Sequence, residues 1–327
     1  MAIQETQLPK GNASEDLAVE VKGLVKKFGT NIAVNNVNLN VPKGSAFGYL
    51  GPNGAGKTTL IRSLLGLTQA NSGQMKILGL EVPKHRSMAL SRVGAIVDEP
   101  RFYGHLSGRQ NLQMLAANRG GDTHSRIESS LERVGILHRA NDKVKSYSMG
   151  MRQRLGIAAC LIADPQLLML DEPMNGLDPA GMLEMRNLIR GFVDEGRTVM
   201  LSSHLLDEIE KTCDAVAIVD KGTVIKQGPI EELLRGTDLT LQIKCSDPPQ
   251  AQKHILEMNL KLLDGNIGID QDSLILRFIG VIENELIAAI NKTLVESGIS
   301  VWGLTENKTS LEEWFLSVTS RLGGDDR

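Results

Sequence analysis

The residues best equipped for chemistry occupy positions 51 to 58: Gly51-Pro52-Asn53-Gly54-Ala55-Gly56-Lys57-Thr58, two glycines bracketing four residues, then a lysine and a hydroxyl. Such a stretch cradles the phosphates of a nucleoside triphosphate. Backbone N–H groups must converge on phosphate oxygens, and residues without a Cβ, here Gly51, Gly54 and Gly56, let the chain come that close. A helix beginning near Lys57 adds the partial positive charge of its N-terminus. Lys57 can reach the β- and γ-phosphates and the Thr58 hydroxyl can sit on Mg²⁺, with Thr59 closing the nucleotide-binding stretch.

Carboxylates and an imidazole of the right kind lie further along. The run Leu167-Leu168-Met169-Leu170 ends in Asp171-Glu172-Pro173, the pattern of a central parallel strand with acids at its carboxyl end, where ligands of open α/β sheets gather. One carboxylate there can hold the Mg²⁺ shell while its neighbour polarises an attacking water. Asp171 is assigned to the metal and Glu172 to the water. A second apolar run, Thr198-Val199-Met200-Leu201-Ser202-Ser203, delivers His204 to the same edge, where an imidazole can hydrogen-bond a γ-phosphate and the water. Phe28, in Lys26-Lys27-Phe28-Gly29, is one of few aromatics in a chain that is 3% aromatic. Its flat ring can cover an adenine face, although on spacing alone a core or turn position fits it better.

These side chains need elements to aim them. Ala46-Phe47-Gly48-Tyr49-Leu50 reads as a buried strand before the glycine loop, and the spacing from Thr59 to Leu65 predicts a helix after it, which is the context the motif requires. Leu17 to Val21 and Ala33 to Val41 alternate as strands of an antiparallel edge sheet. Ser72 to Leu78 and Val93 to Val97 read as further strands. Residues 102 to about 161 carry helical patterning interrupted at Asn118 to Asp122, and form a helical insertion. Beyond Gly236 come a strand at Asp238 to Lys244, a helix at Pro249 to Met258, a strand at Leu274 to Ile279, a helix at Glu283 to Ser297 and a strand at Ile299 to Thr305. Last is a helix from Ser310, capped by that serine and Glu313, with Leu311, Trp314, Phe315 and Val318 on one side.

At 327 residues the chain exceeds one average domain, and 41% hydrophobic with 23% charged residues is enough to bury a sizeable core. The expected division is a polar, disordered lead-in at 1–16, a nucleotide-binding domain at 17–235 and an α+β accessory domain at 238–321. A net charge of -3 offers no electrostatic footprint for nucleic acid, so none is expected as a partner. Cys160, Cys213 and Cys245 lack metal or redox spacing and read as reduced, buried thiols. No apolar stretch approaches the roughly twenty residues that cross a bilayer, and the polar first nineteen residues do not read as a secretory signal.

Five ordered segments, GPNGAGKT at 51–58, YSMGMRQR at 147–154, LLMLDEP at 167–173, NGLDP at 175–179 and SSH at 202–204, together resemble the motif set of ABC-transporter nucleotide-binding domains over about residues 17–235. The fold implied is α/β: a phosphate-loop NTPase with a mostly parallel sheet, an antiparallel edge sheet, a helical insertion and a small C-terminal α+β domain. The resemblance implies an ATPase that clamps ATP and Mg²⁺ in a head-to-tail dimer, homodimeric or with a similar ATPase. One subunit's phosphate loop would face the other's signature, Ser148-Met149-Gly150-Met151 with Gln153. Met149 and Met151 stand where a glycine and a glutamine are usual. By the same resemblance Phe28 is the adenine platform, Asp178 lies in the loop touching the other subunit, and His204 is the switch histidine.

Partners implied are integral membrane permease subunits, placing the protein at the cytoplasmic face of the membrane. The competing reading is a soluble, non-transport ABC-type ATPase, which usually shows two motif sets or a long coiled-coil insertion. Asp98 stands where the family has glutamine, and the acid before Pro100 and Phe102-Tyr103 resembles the exporter branch that includes bacitracin and lantibiotic self-resistance. A carboxylate there is a stronger ligand for a hard cation, so Asp98 is expected to approach Mg²⁺.

Overall fold

The computed structural model describes residues 16–234, 238–258, 262–270, 272–279 and 284–308, in two units, Met1–Ile230 and Glu231–Arg327. The expected terminal helix from Ser310 lies outside the described residues.

In the first unit the strands are β1 (Leu17–Phe28), β2 (Asn31–Pro42), β3 (Ala46–Leu50), β4 (Ser72–Ile77), β5 (Leu80–Val82), β6 (Val93–Ile96), β7 (Leu167–Asp171), β8 (Thr198–Ser203), β9 (Ala215–Asp220) and β10 (Thr223–Pro229). Its helices are α1 (Lys57–Leu64), α2 (Arg86–Leu90), α3 (Gly108–Arg119), α4 (Ile127–Arg133), α5 (Met149–Leu161), α6 (Pro179–Asp194) and α7 (Leu206–Thr212); α8 (Ile230–Leu234) follows at the division between the units. All five residues of β3 and of β7 are buried, and so are all six of β8. Continuous apolar runs of this kind form strands covered on both faces. They sit centrally in a six-stranded sheet ordered β10-β9-β3-β8-β7-β6, parallel from β9 to β6, with β10 antiparallel at one edge. The carboxyl ends of β3, β7 and β8 therefore come to one edge.

β1 and β2 pair antiparallel within a second sheet, ordered β2-β1-β4-β5. Val37, Leu39 and Val41 face inward as their alternation predicts, whereas Ala18 is buried beside Val19 and interrupts the pattern in β1. One core joins this sheet to α1, through Leu60, Ile61 and Leu64, and to Phe47, Tyr49 and Met169 of the parallel sheet. Packing on both sides makes α1 a rigid support for the loop before it. The helical insertion is α3 to α5; Gly120 caps α3 inside the polar stretch expected to break it.

The second unit contains β11 (Asp238–Cys245), α9 (Pro248–Glu257), β12 (Leu262–Asp270), β13 (Ser273–Ile279), α10 (Asn284–Glu296) and β14 (Val301–Lys308). Its sheet, ordered β12-β13-β11-β14 with every pair antiparallel, is a split β-α-β arrangement. Alternate residues Leu241, Ile243 and Cys245 join Leu274 and Leu276 beneath Ile255 of α9 and Ile290 of α10. The strand β12 has no counterpart in the sequence reading. Its glycines, asparagine and aspartates favour turns, and as an edge strand it needs a partner on one side only.

All three cysteines are free and buried. Burial pushes the Cys160 thiol up to about 12 and raises Cys213 and Cys245 as well, which makes them packing residues rather than nucleophiles.

Candidate functional site

The chain leaves β3, turns through the glycine loop and enters α1 at Lys57. Gly56 caps that helix at φ 93, and a Cβ there would lie 2.1 Å from the Ala33 carbonyl oxygen. A Cβ on Gly51 would meet the Val219 carbonyl oxygen at 2.3 Å. Neighbouring strands thus demand glycine at both positions, in addition to any demand from a phosphate. The turn between β9 and β10 also holds the loop, because Gly222 N donates to Ala55 O at 3.2 Å. The Lys57 side chain is only 6% exposed, and its Nζ donates to Gly51 O at 2.7 Å and Pro52 O at 3.1 Å.

The carboxylates arrive from β7. Thr58 Oγ1 donates to Asp171 Oδ2 at 2.7 Å, while the other Asp171 oxygen accepts from Ser202 Oγ of β8. Glu172 follows with φ 48, a left-handed backbone uncommon outside glycine, and its N–H donates to the same Ser202 hydroxyl at 3.0 Å. Its two carboxylate oxygens are shared between Lys57 Nζ at 3.1 Å and His204 Nδ1 at 2.9 Å. Lysine, glutamate and histidine from three separate stretches thus form one row along the carboxyl edge of the sheet.

Beside that row is a cavity of about 550 Å³ lined by Phe28, Asn53, Lys57, Thr58, Glu172 and Lys221, among others. Phe28 ends β1 at the turn into β2 and is 53% exposed at the mouth, with Lys26 Nζ 4.6 Å from its ring centroid. An exposed ring held by a cation at the mouth of this cavity offers a stacking face.

The signature residues occupy different ground. Ser148 caps α5 and accepts from Met151 N at 3.3 Å; Asp178 caps α6 and accepts from Gly181 N at 3.0 Å. Ser148, Met149, Gly150 and Met151 line a second cavity of about 650 Å³ with Leu177 and Asp178, and none of these residues lines the first. Met149, in place of a small residue, packs its sulfur over Gly176, where a Cβ would lie 2.7 Å away. Gln153 departs from the expectation of a contact made across subunits. It lies one turn into α5 and is 5% exposed, turned inward by the periodicity that presents Ser148 outward.

Asp98 also departs from its expected neighbours. It sits at φ 62 after β6, its carboxylate pairs with Arg62 of α1, and it does not line the cavity of Thr58 and Glu172. Arg62, one turn beyond Thr58, draws the acid to itself. Three participants had no sequence signal that singled them out: Ser202, Arg62 and Lys221. Ser202 lay inside the SSH segment, read only for its histidine, and Lys221 belonged to an ordinary turn.

A family model described as ABC transporter matches residues 34–175. The chain is 38% identical over 307 residues to the bacitracin transport ATP-binding protein BcrA of Bacillus licheniformis, spanning 94% of this chain and 97% of that protein. It is 41% identical over 207 residues to the lantibiotic transport ATP-binding protein SrtF of Streptococcus pyogenes, spanning 63% of this chain and 89% of that one. Among solved structures, cbiO1 of Clostridium perfringens, part of an ABC transporter complex, superposes with a TM-score of 0.62 at 28% identity, covering 67% of this chain and 91% of that one. The likeness to BcrA runs through both units. The protein belongs to the ABC transporter family, as an ATP-binding and ATP-hydrolysing subunit.

Proposed function

We propose that two copies of this chain, or this chain and a similar ATPase, clamp two ATP molecules head to tail and drive export through an integral membrane permease. The observation that supports this most is the separation of two half-sites on one unit. The Lys57–Glu172–His204 row borders one cavity, and Ser148, Gly150 and Asp178 border another. A nucleotide bound to the glycine loop lacks the second set until another subunit brings it. The Ser148 hydroxyl and the N-terminus of α5 then supply donors and a favourable dipole to the γ-phosphate.

Adenine would rest on Phe28, with the phosphates wrapped by residues 51–59. Thr58 Oγ1 and Asp171 Oδ2, 2.7 Å apart at the loop edge, are hard oxygen donors that fit Mg²⁺ together with phosphate and water oxygens. When bound, that ion neutralises charge on the phosphate oxygens. Glu172 takes a proton from the water as its oxygen attacks the γ-phosphorus, and the bond to the β-phosphate oxygen breaks to leave ADP. His204 holds the Glu172 carboxylate through Nδ1 and can hydrogen-bond the γ-phosphate. Lys57 spans the β- and γ-phosphates.

Among the described residues no helix is long and apolar enough to cross a membrane. In this reading the pore belongs to a separate subunit and this chain works at the cytoplasmic face. The relatives named for transport of bacitracin and of a lantibiotic support a peptide antibiotic as cargo; a drug or lipid-like solute is the wider class proposed, with export as the proposed direction. Detergent extraction with the tagged chain is expected to recover a multi-span membrane protein. Recovery of ribosomes or DNA instead would reject the transport partner.

Two substitutions test the edges of the site. Phe28→Ala is expected to weaken ATP binding about tenfold, the loss of one stacking platform, with turnover at saturating ATP little changed; a fluorescent-nucleotide titration reads the first and steady-state phosphate release the second. Asp98 is proposed to leave Arg62 for the Mg²⁺ shell when nucleotide is bound. Asp98→Gln is therefore expected to raise the Mg²⁺ concentration for half-maximal ATPase severalfold, and an unchanged Mg²⁺ curve and turnover would remove it from the metal's surroundings.

A further inference from the structure

Ser202 is fully buried in β8, in register with Asp171 of β7. Its hydroxyl makes two bonds, donating to Asp171 Oδ1 and accepting from Glu172 N at 3.0 Å. The first leaves Asp171 Oδ2 facing Thr58, whose Oγ1 donates to it at 2.7 Å. The second anchors the N–H of a residue whose backbone is turned to φ 48. That turn sends the Glu172 side chain away from the strand, toward Lys57 and His204. One hydroxyl therefore grips both halves of the acidic step, one through a side chain and one through the main chain.

We propose that Ser202 is a positioning residue for hydrolysis: it fixes which Asp171 oxygen meets Thr58 and the metal, and it holds Glu172 in the left-handed corner that aims its carboxylate. The adjacent Ser203 cannot substitute, because strand alternation turns it to the opposite face of the sheet, where its hydroxyl accepts from Leu205 N at 2.9 Å. The inference rests on the roles proposed for Asp171 and Glu172. Residues that orient a ligand-bearing side chain typically cost 10- to 100-fold when removed.

The test compares the full-length wild type, Ser202→Ala, Glu172→Gln and the double variant, with ATPase kinetics and fluorescent-nucleotide binding titrated against Mg²⁺. Ser202→Ala is expected to lower kcat roughly 10- to 100-fold with KM for ATP little changed. In the Glu172→Gln background it is expected to leave the residual rate untouched, because the aimed carboxylate is already gone. There it still raises the Mg²⁺ concentration for half-maximal nucleotide binding by roughly tenfold. A kcat close to wild type, or an equal fractional loss in both backgrounds with an unmoved Mg²⁺ midpoint, overturns the proposal and leaves Ser202 a packing residue. Should Ser202→Ala fail to fold, Ser202→Cys keeps the volume with a weaker hydrogen-bonding group and is judged by the same signs. An active Glu172→Gln protein would instead refute the role of Glu172 itself, and the Mg²⁺ shift would still judge Ser202.

Discussion

Glu172→Gln retains ATP binding and loses at least roughly a hundredfold in turnover, the scale of removing a general base. The amide keeps the length and shape of the carboxylate, so the backbone corner at Glu172 and the Ser202 hydroxyl bonded to its N–H are undisturbed. What disappears is an acceptor for the water's proton. The ion pair with Lys57 at 3.1 Å weakens too, which frees the ammonium for phosphate and works against any loss of nucleotide affinity. Steady-state phosphate release measures the turnover and equilibrium dialysis the binding. Hydrolysis at the wild-type rate would remove Glu172 from the chemistry.

Lys57→Ala behaves differently, losing binding as well as turnover. The ammonium, 6% exposed, is held over the loop by two carbonyl oxygens and faces the site where β- and γ-phosphates would lie. Each charge-assisted hydrogen bond is worth about 1.5–3 kcal/mol, so losing two to a triphosphate predicts a fall in ATP affinity of about a hundredfold or more. The substitution also leaves Glu172 with His204 as its remaining partner. ADP, which lacks the γ-phosphate, is expected to lose less affinity than ATP. Equal losses for both nucleotides would place the lysine away from the γ-position.

What the sequence disclosed follows the range of the forces involved. The glycine loop, Asp171-Glu172 and His204 were legible because each lies at the end of a continuous apolar run, and a buried parallel strand can deliver its last residues only to the sheet's carboxyl edge. The order in which strands meet is not local. Ser202 matters because β8 lies beside β7 in a particular register, and no spacing along the chain announces that pairing. Arg62 claims Asp98 for a similar reason, since the two are 36 residues apart along the chain.

Gln153 shows the opposite failure. A linear motif assigns it to a surface, but helical periodicity turns it inward. In the second unit the apolar alternation of β11 and β13 was readable, whereas β12, with glycine and aspartate inside it, forms only because β13 offers a free edge.

The central claim is that ATP, held through Lys57, joins two phosphate-loop and signature half-sites across subunits. Light scattering of the Glu172→Gln protein with and without MgATP tests it most directly, because turnover no longer reopens the assembly. Addition of MgATP is expected to double the particle mass, and the further change Lys57→Ala to abolish that doubling. A chain that keeps one mass with saturating MgATP, both alone and mixed with a similar ATPase recovered with it, or that pairs equally well without Lys57, would contradict the account.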